Sequence, residues 1–139
     1  MSYCRPLMAI ILFFFVDQLY AGSYKPQCPK EINALEHIQT SVKGWETLKG
    51  IKNNFLSSIS FYSGHPKQQA SLKPNSINSK QAKWSFSPNE TIYILCQYNK
   101  SGIELTQQLR PKTKNCTVLF NPHVQGDQGY LPKEIQCTD

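Results

Sequence analysis

The side chains able to move a proton or attack a carbon near neutral pH are few in this chain: three histidines, His37, His65 and His123, and five cysteines. An imidazole titrates close to neutrality without help, and beside a cysteine it can generate a thiolate nucleophile. His65 falls in "YSGHPK", among turn residues, where an exposed histidine is ordinary. His123 and Asp127 share "NPHVQGDQG", which has neither calcium-loop spacing nor a phosphate-loop glycine pattern. No G-x-S-x-G occurs. Carboxylates are sparse: Glu90 and Glu104 lie nearest the strongest strand patterns, and the outward parity of Glu104 argues against a buried acid–base pair. The histidines are scattered and no C-x-x-C pair is present, which argues against zinc. The reading is a chain with no catalytic set, no metal site and no cofactor.

The cysteines point elsewhere. The first 21 residues, "MSYCRPLMAIILFFFVDQLYA", carry Arg5, a ten-residue apolar run over 7–16, and then polar Asp17 and Gln18. A run of that length is too short for a bilayer, which needs roughly 20 apolar residues, and it suits a secretory signal peptide cut after Ala21. No cysteine follows the run at a lipid-anchoring position. Cleavage would leave residues 22–139 as one domain and remove Cys4. Cys28, Cys96, Cys116 and Cys137 would remain, an even number in an exported chain, for which two disulfides are the natural expectation. The formal net charge of +6 survives, because Arg5 and Asp17 leave together.

The elements that must hold these cysteines are mostly strands. "IYILCQYNKSGIELTQQL" alternates like a hairpin, with Ile92, Ile94, Cys96 and Tyr98 on one parity and "NKSG" as the turn. Ile103, Leu105 and Leu109 then continue an inward face. "WSF" puts Trp84 and Phe86 on one side, and "SPNE" turns the chain. In "NFLSSISFYSGHP", Phe55, Ile59 and Phe61 share a parity, followed by a turn. "CTVLF" and "KEIQCT" are the last strands, joined by the loop "NPHVQGDQGYLP". The polar stretch 67–83 reads as a long surface loop. Residues 32–39 read as extended. A helix is the alternative there, because Ile32, Leu35, Ile38, Val42 and Trp45 recur every three or four residues; Gly44 breaks either form. The fold class is therefore mainly β, a small antiparallel sheet or sandwich of hairpins stapled by two disulfides. The alternative is α+β with an N-terminal helix.

Strand geometry weighs the three possible connectivities. With "NKSG" as the turn, Cys96 faces Leu105. In a simple meander Cys116 would then lie two strands away, about 9.6 Å, which is beyond disulfide reach. Aligning Phe120 with Lys133 and Val118 with Ile135 brings Cys116 opposite Cys137, leaving Cys28 for Cys96.

The residues best placed to meet a partner lie in turns and on outward parity. They are Tyr62, His65 and Lys67 in "YSGHPK", Tyr93, then Arg110, Lys112 and Lys114 in "RPKTK", and His123 and Asp127. Trp84 and Tyr98 share parity with apolar neighbours and read as core. The chain has no module with a basic stripe and interleaved aromatics, which argues against nucleic acid. Three N-x-S/T triplets occur, at Asn89, Asn99 and Asn115.

The landmarks "CP", "GW", "FYSGHP", "LKP", "WSF" and "ILCQY", with a later cysteine, resemble a small family of exported proteins of Gram-negative bacteria, some encoded near type VI secretion genes. The resemblance spans roughly 28–120 and implies a periplasmic protein. It also implies a non-catalytic role blocking a protein partner, as an immunity protein or an inhibitor of a cell-wall- or envelope-active enzyme. The alternative function is an envelope domain that binds a glycan or anionic polymer.

Overall fold

β-branched and aromatic residues dominate Ile92–Tyr98, the strand at the centre of one sheet, as the pleated, half-buried surface of a strand favours. The computed structural model describes residues 22–48 and 53–139; the expected signal peptide and Cys4 lie outside the described residues. In chain order the strands are β1 (Ser23–Tyr24), β2 (Glu31–Ile32), β3 (Asn54–Ser63), β4 (Ser71–Leu72), β5 (Ser76–Ile77), β6 (Gln81–Ser85), β7 (Ile92–Tyr98), β8 (Glu104–Gln108), β9 (Asn115–Gly126) and β10 (Gly129–Thr138). A 3₁₀ turn, Pro66–Gln68, follows β3.

Two antiparallel sheets result, ordered β1-β10-β9-β6-β5 and β2-β3-β7-β8, with β4 also paired to β3. Their inner faces meet in one apolar core. Phe61, Ile92, Ile94 and Leu109 come from the second sheet side, and Ala82, Trp84, Cys116, Val118, Ile135 and Cys137 from the first. Trp84 is buried with its indole N–H donating to the Leu72 carbonyl at 3.0 Å, so its one polar atom is satisfied.

The β7–β8 hairpin has the register that its turn dictates, with Cys96 opposite Leu105 and Tyr93 opposite Gln108. Both disulfides form as the strand arguments anticipate: Cys116–Cys137 across β9 and β10, with Cα atoms 4.1 Å apart, and Cys28–Cys96 at 5.8 Å. Val118 faces Ile135.

Several expectations are corrected. Phe120 faces Pro132 rather than Lys133, because the β9–β10 register shifts on both sides of Pro132. "NPHVQGDQGYLP" is no loop. β9 and β10 run on through it as one long hairpin that closes on Asp127 and Gln128, with Gly129 at φ 108°, a value that glycine adopts readily. The simple meander fails as well: after β8 the segment 110–114 crosses to the other sheet, where β9 lies between β6 and β10. Residues 67–83 hold β4, β5 and part of β6, with Ala82 fully buried.

In β3 the parity changes at Ser57. The register passes from Leu56–Tyr98 to Ser58–Gln97, leaving Ser57 unpaired as a bulge. The change of side buries Asn54 and leaves Phe55 50% exposed, opposite to its expected place. Ile103 and Leu105 lie on the inward parity but remain exposed, because β8 is an edge strand. Of the expected 32–39 strand only Ile32 is in a strand, as the second residue of β2, and the alternative helix does not form either. Leu35, Ile38, Val42 and Trp45 are all exposed. No apolar surface of the described residues covers that stripe, and weak helix formers at Thr40, Ser41 and Val42 give the helix little intrinsic support. Gly44, at φ 85°, sits in a turn closed by the Trp45 N–H on the Val42 carbonyl.

Candidate functional site

A groove of about 880 Å³ is built from three separated segments. One wall is the extended stretch 25–30, the floor is β3 at Phe55, Leu56 and Ile59, and the far wall is β10 at 131–135 together with Asn121 of β9. Each part has a local cause. The Ser57 bulge turns Phe55 outward into the groove. The register shifts around Pro132 interrupt the β9–β10 ladder beside it, leaving Leu131 and Lys133 without a registered partner. The first wall is held covalently through Cys28–Cys96. It is held again by the Tyr98 hydroxyl, which donates to the Pro29 carbonyl at 2.9 Å.

Burial raises the pKa of Tyr98, which keeps the phenol a donor to Pro29 throughout the physiological range. Tyr98→Phe removes that bond and leaves the Pro29 carbonyl to find water. The expected cost is about 1 kcal/mol of stability, measured by urea unfolding. Unchanged stability would show that the hydroxyl does not hold the wall.

The charge of the groove is mostly positive. Lys25, Lys30 and Lys133 line it against one carboxylate, Glu134. Lys25 pairs with Glu134 at 3.1 Å. Hydrogen bonds from Gln136 and then Lys25 hold the Glu134 carboxyl below the usual carboxylate range, and the charges of Lys25 and Lys133 act in the same direction. Lys30 and Lys133 form no ion pair among the described residues. The groove can therefore receive an apolar side chain and an anionic group together.

The residues singled out from sequence lie mostly elsewhere. Tyr62 is registered against Tyr93, and the His65 and Tyr93 rings stand 5.2 Å apart between centroids. The Tyr93 hydroxyl lies 3.4 Å from Gln108 Oε1. His65 Nδ1 accepts from the Lys67 backbone N–H at 3.2 Å, starting the 3₁₀ turn. Tyr62, His65 and Tyr93 make an outward cluster at the end of β3. The Arg110 guanidinium stacks over the Tyr24 ring at 4.3 Å, and the Tyr24 hydroxyl bonds Thr113. The "RPKTK" crossing is thus tied to β1, while Lys112 and Lys114 stay exposed. His123 and Asp127 are exposed on the distal arm of the β9–β10 hairpin, whose Gln128 accepts from the Ser58 hydroxyl at 3.1 Å. No three His, Cys, Asp or Glu side chains among the described residues come together as a metal cluster would require. Two of the N-x-S/T asparagines serve the fold. Asn99 Oδ1 accepts from the Phe55 N–H at 2.7 Å, and Asn115 Oδ1 accepts from the Ser85 hydroxyl at 2.9 Å.

None of the groove residues appeared among the partner-binding candidates read from sequence. Its lysines are singly spaced, and the one local signal, Phe55, carried the wrong parity. A model of a protein family matches residues 51–138, and its description is "Type VI secretion system Tli immunity protein". No curated protein and no solved structure matches the chain.

Proposed function

The chain belongs to the type VI secretion system Tli immunity protein family, a binding protein that blocks a partner effector, and from that premise we propose that it does so in the periplasm without catalysing a reaction. The single observation that carries this reading is the family match across 51–138, which takes in β3 to β10. Two further features support the compartment. All four cysteines of the described residues are paired in two disulfides, as suits an oxidising space, and the apolar run over 7–16 fits export. No helix of the described residues is long and apolar enough to cross a membrane. We place the mature domain at residues 22–139.

A non-catalytic blocker works by occupancy. Its effect is set by affinity and by how long it stays bound, and no side chain of the immunity protein need change its bonds. The test is co-expression with the type VI effector that the protein would block. The exported protein is expected to co-elute with that effector in a fixed ratio and to protect cells from it. Expression without the leader, in a reducing cytoplasm, is expected to give less folded protein and weaker protection. Absence of both complex and protection would overturn the reading.

A further inference from the structure

We propose that the groove between residues 25–30 and the β9–β10 hairpin is where the effector docks, and that it takes an extended effector segment carrying a carboxylate beside an apolar side chain. This rests on the immunity reading above and names the surface and the chemistry of its partner.

Charge complementarity selects the occupant. Lys25 is already neutralised by Glu134 at 3.1 Å, so Lys30 and Lys133, one from each wall, supply an uncompensated pair of positive charges. Between them the floor is apolar, with Phe55 half exposed and Leu56 and Ile59 partly buried. An apolar side chain entering there would cover Phe55, and a neighbouring carboxylate would meet a lysine on either side. A neutral or basic segment would leave the two cations unpaired under cover, which is costly.

The groove is also preformed. Cys28–Cys96 and the Tyr98–Pro29 hydrogen bond fix the first wall onto β7 before any partner arrives. A preordered site loses less conformational freedom on binding than a loop that must be ordered. The outward cluster of Tyr62, His65 and Tyr93 lies outside the groove, and Arg110 is engaged with Tyr24.

The test uses the full exported, oxidised protein and the purified effector identified by co-elution, with affinity measured by calorimetry. Lys30→Glu with Lys133→Glu reverses both free charges on exposed side chains, so the fold should survive, as checked by an unchanged melting curve. Loss of at least about a hundredfold in affinity is expected, roughly tenfold for each lysine. Phe55→Ala is expected to lose about tenfold, and wild-type affinity to fall as salt rises. Lys80→Glu with Lys83→Glu, on the β5–β6 side, is expected to bind like wild type. Wild-type binding by the groove variants would overturn the docking site while leaving the immunity reading intact. Failure of the wild-type protein to bind the effector would overturn that reading itself. A dimer of this chain that the groove variants dissociate would show that a second copy is the occupant, and would also overturn the proposal.

Discussion

Phe61→Ala is expected to destabilise the protein by about 3–5 kcal/mol, the range for truncating a fully buried aromatic side chain. Phe61 is wholly buried at the point where β3 is flanked on both sides, by Ile94 of β7 and Leu72 of β4. Its ring meets Trp84 edge-on at 4.9 Å between centroids and lies 5.6 Å from Phe86 in a tilted arrangement. Those two rings belong to the opposite sheet side, so Phe61 is the main aromatic link between the layers. The loss combines the transfer energy of the ring, the aromatic contacts and the cavity left behind, because strands on both sides restrict collapse. Phe61→Leu should cost much less, since most of the volume remains. Urea unfolding of the oxidised protein measures both, and a loss below about 1.5 kcal/mol for the alanine variant would show that the layers do not depend on this contact. Against a total stability of roughly 5–15 kcal/mol for an ordinary domain, the alanine variant is expected to be partly unfolded at physiological temperature.

Replacing Cys28 and Cys96 together by serine is expected to cost about 4 kcal/mol, and replacing Cys116 and Cys137 about 3 kcal/mol. The ranking follows from the lengths of chain closed, 68 and 21 residues, because the longer link removes more freedom from the unfolded chain. The two pairs also differ in the folded state. Cys116 and Cys137 face each other within a ladder that pairs β9 and β10 on both sides of them, so the strands remain joined by hydrogen bonds. Residues 25–30 are held by Cys28, the Tyr98 hydroxyl, the Lys25–Glu134 pair and the Leu56 N–H on the Lys30 carbonyl, with no strand ladder along them. The Cys28/Cys96 variant should therefore also lose the groove wall. Denaturant midpoints of the two double variants check the order. Equal losses, or a larger loss for the short link, would show that chain entropy does not govern these bonds.

What could be read from the sequence was whatever local turn geometry determines. The four-residue turn Asn99 to Gly102 sets which β7 residue meets which β8 residue, and the alternation of Ile92, Ile94 and Cys96 sets the buried face. The alignment of Cys116 with Cys137 followed from parity and needed no knowledge of the rest of the fold. What was hidden depends on single-residue irregularities and on distant partners. A bulge at Ser57 has no residue signature, yet it exchanges the sides of Asn54 and Phe55. Pro122, Gly126, Gly129 and Pro132 punctuate the last hairpin as they would a loop, and register shifts around Pro132 accommodate the strand there instead. Alternation also says which way a side chain points and nothing about which sheet a strand joins, so the crossing at 110–114 could not be seen. The groove needs all three of these together: the bulge, the shifted hairpin and the disulfide that brings residue 28 to residue 96. The stripe at Leu35, Ile38 and Val42 shows the converse, helical spacing with no surface to pack on.

The Cys28–Cys96 bridge encloses the exposed segment 33–48 within a covalent ring. Exposed irregular backbone of this kind is where proteases cut first. In a linear molecule such a cut would release residues 22–32 and dismantle one side of the groove. Here both new ends stay attached to the same body through sulfur, with β1 still paired to β10 and β2 to β3. The ring gives the protein one backbone scission that it can survive whole.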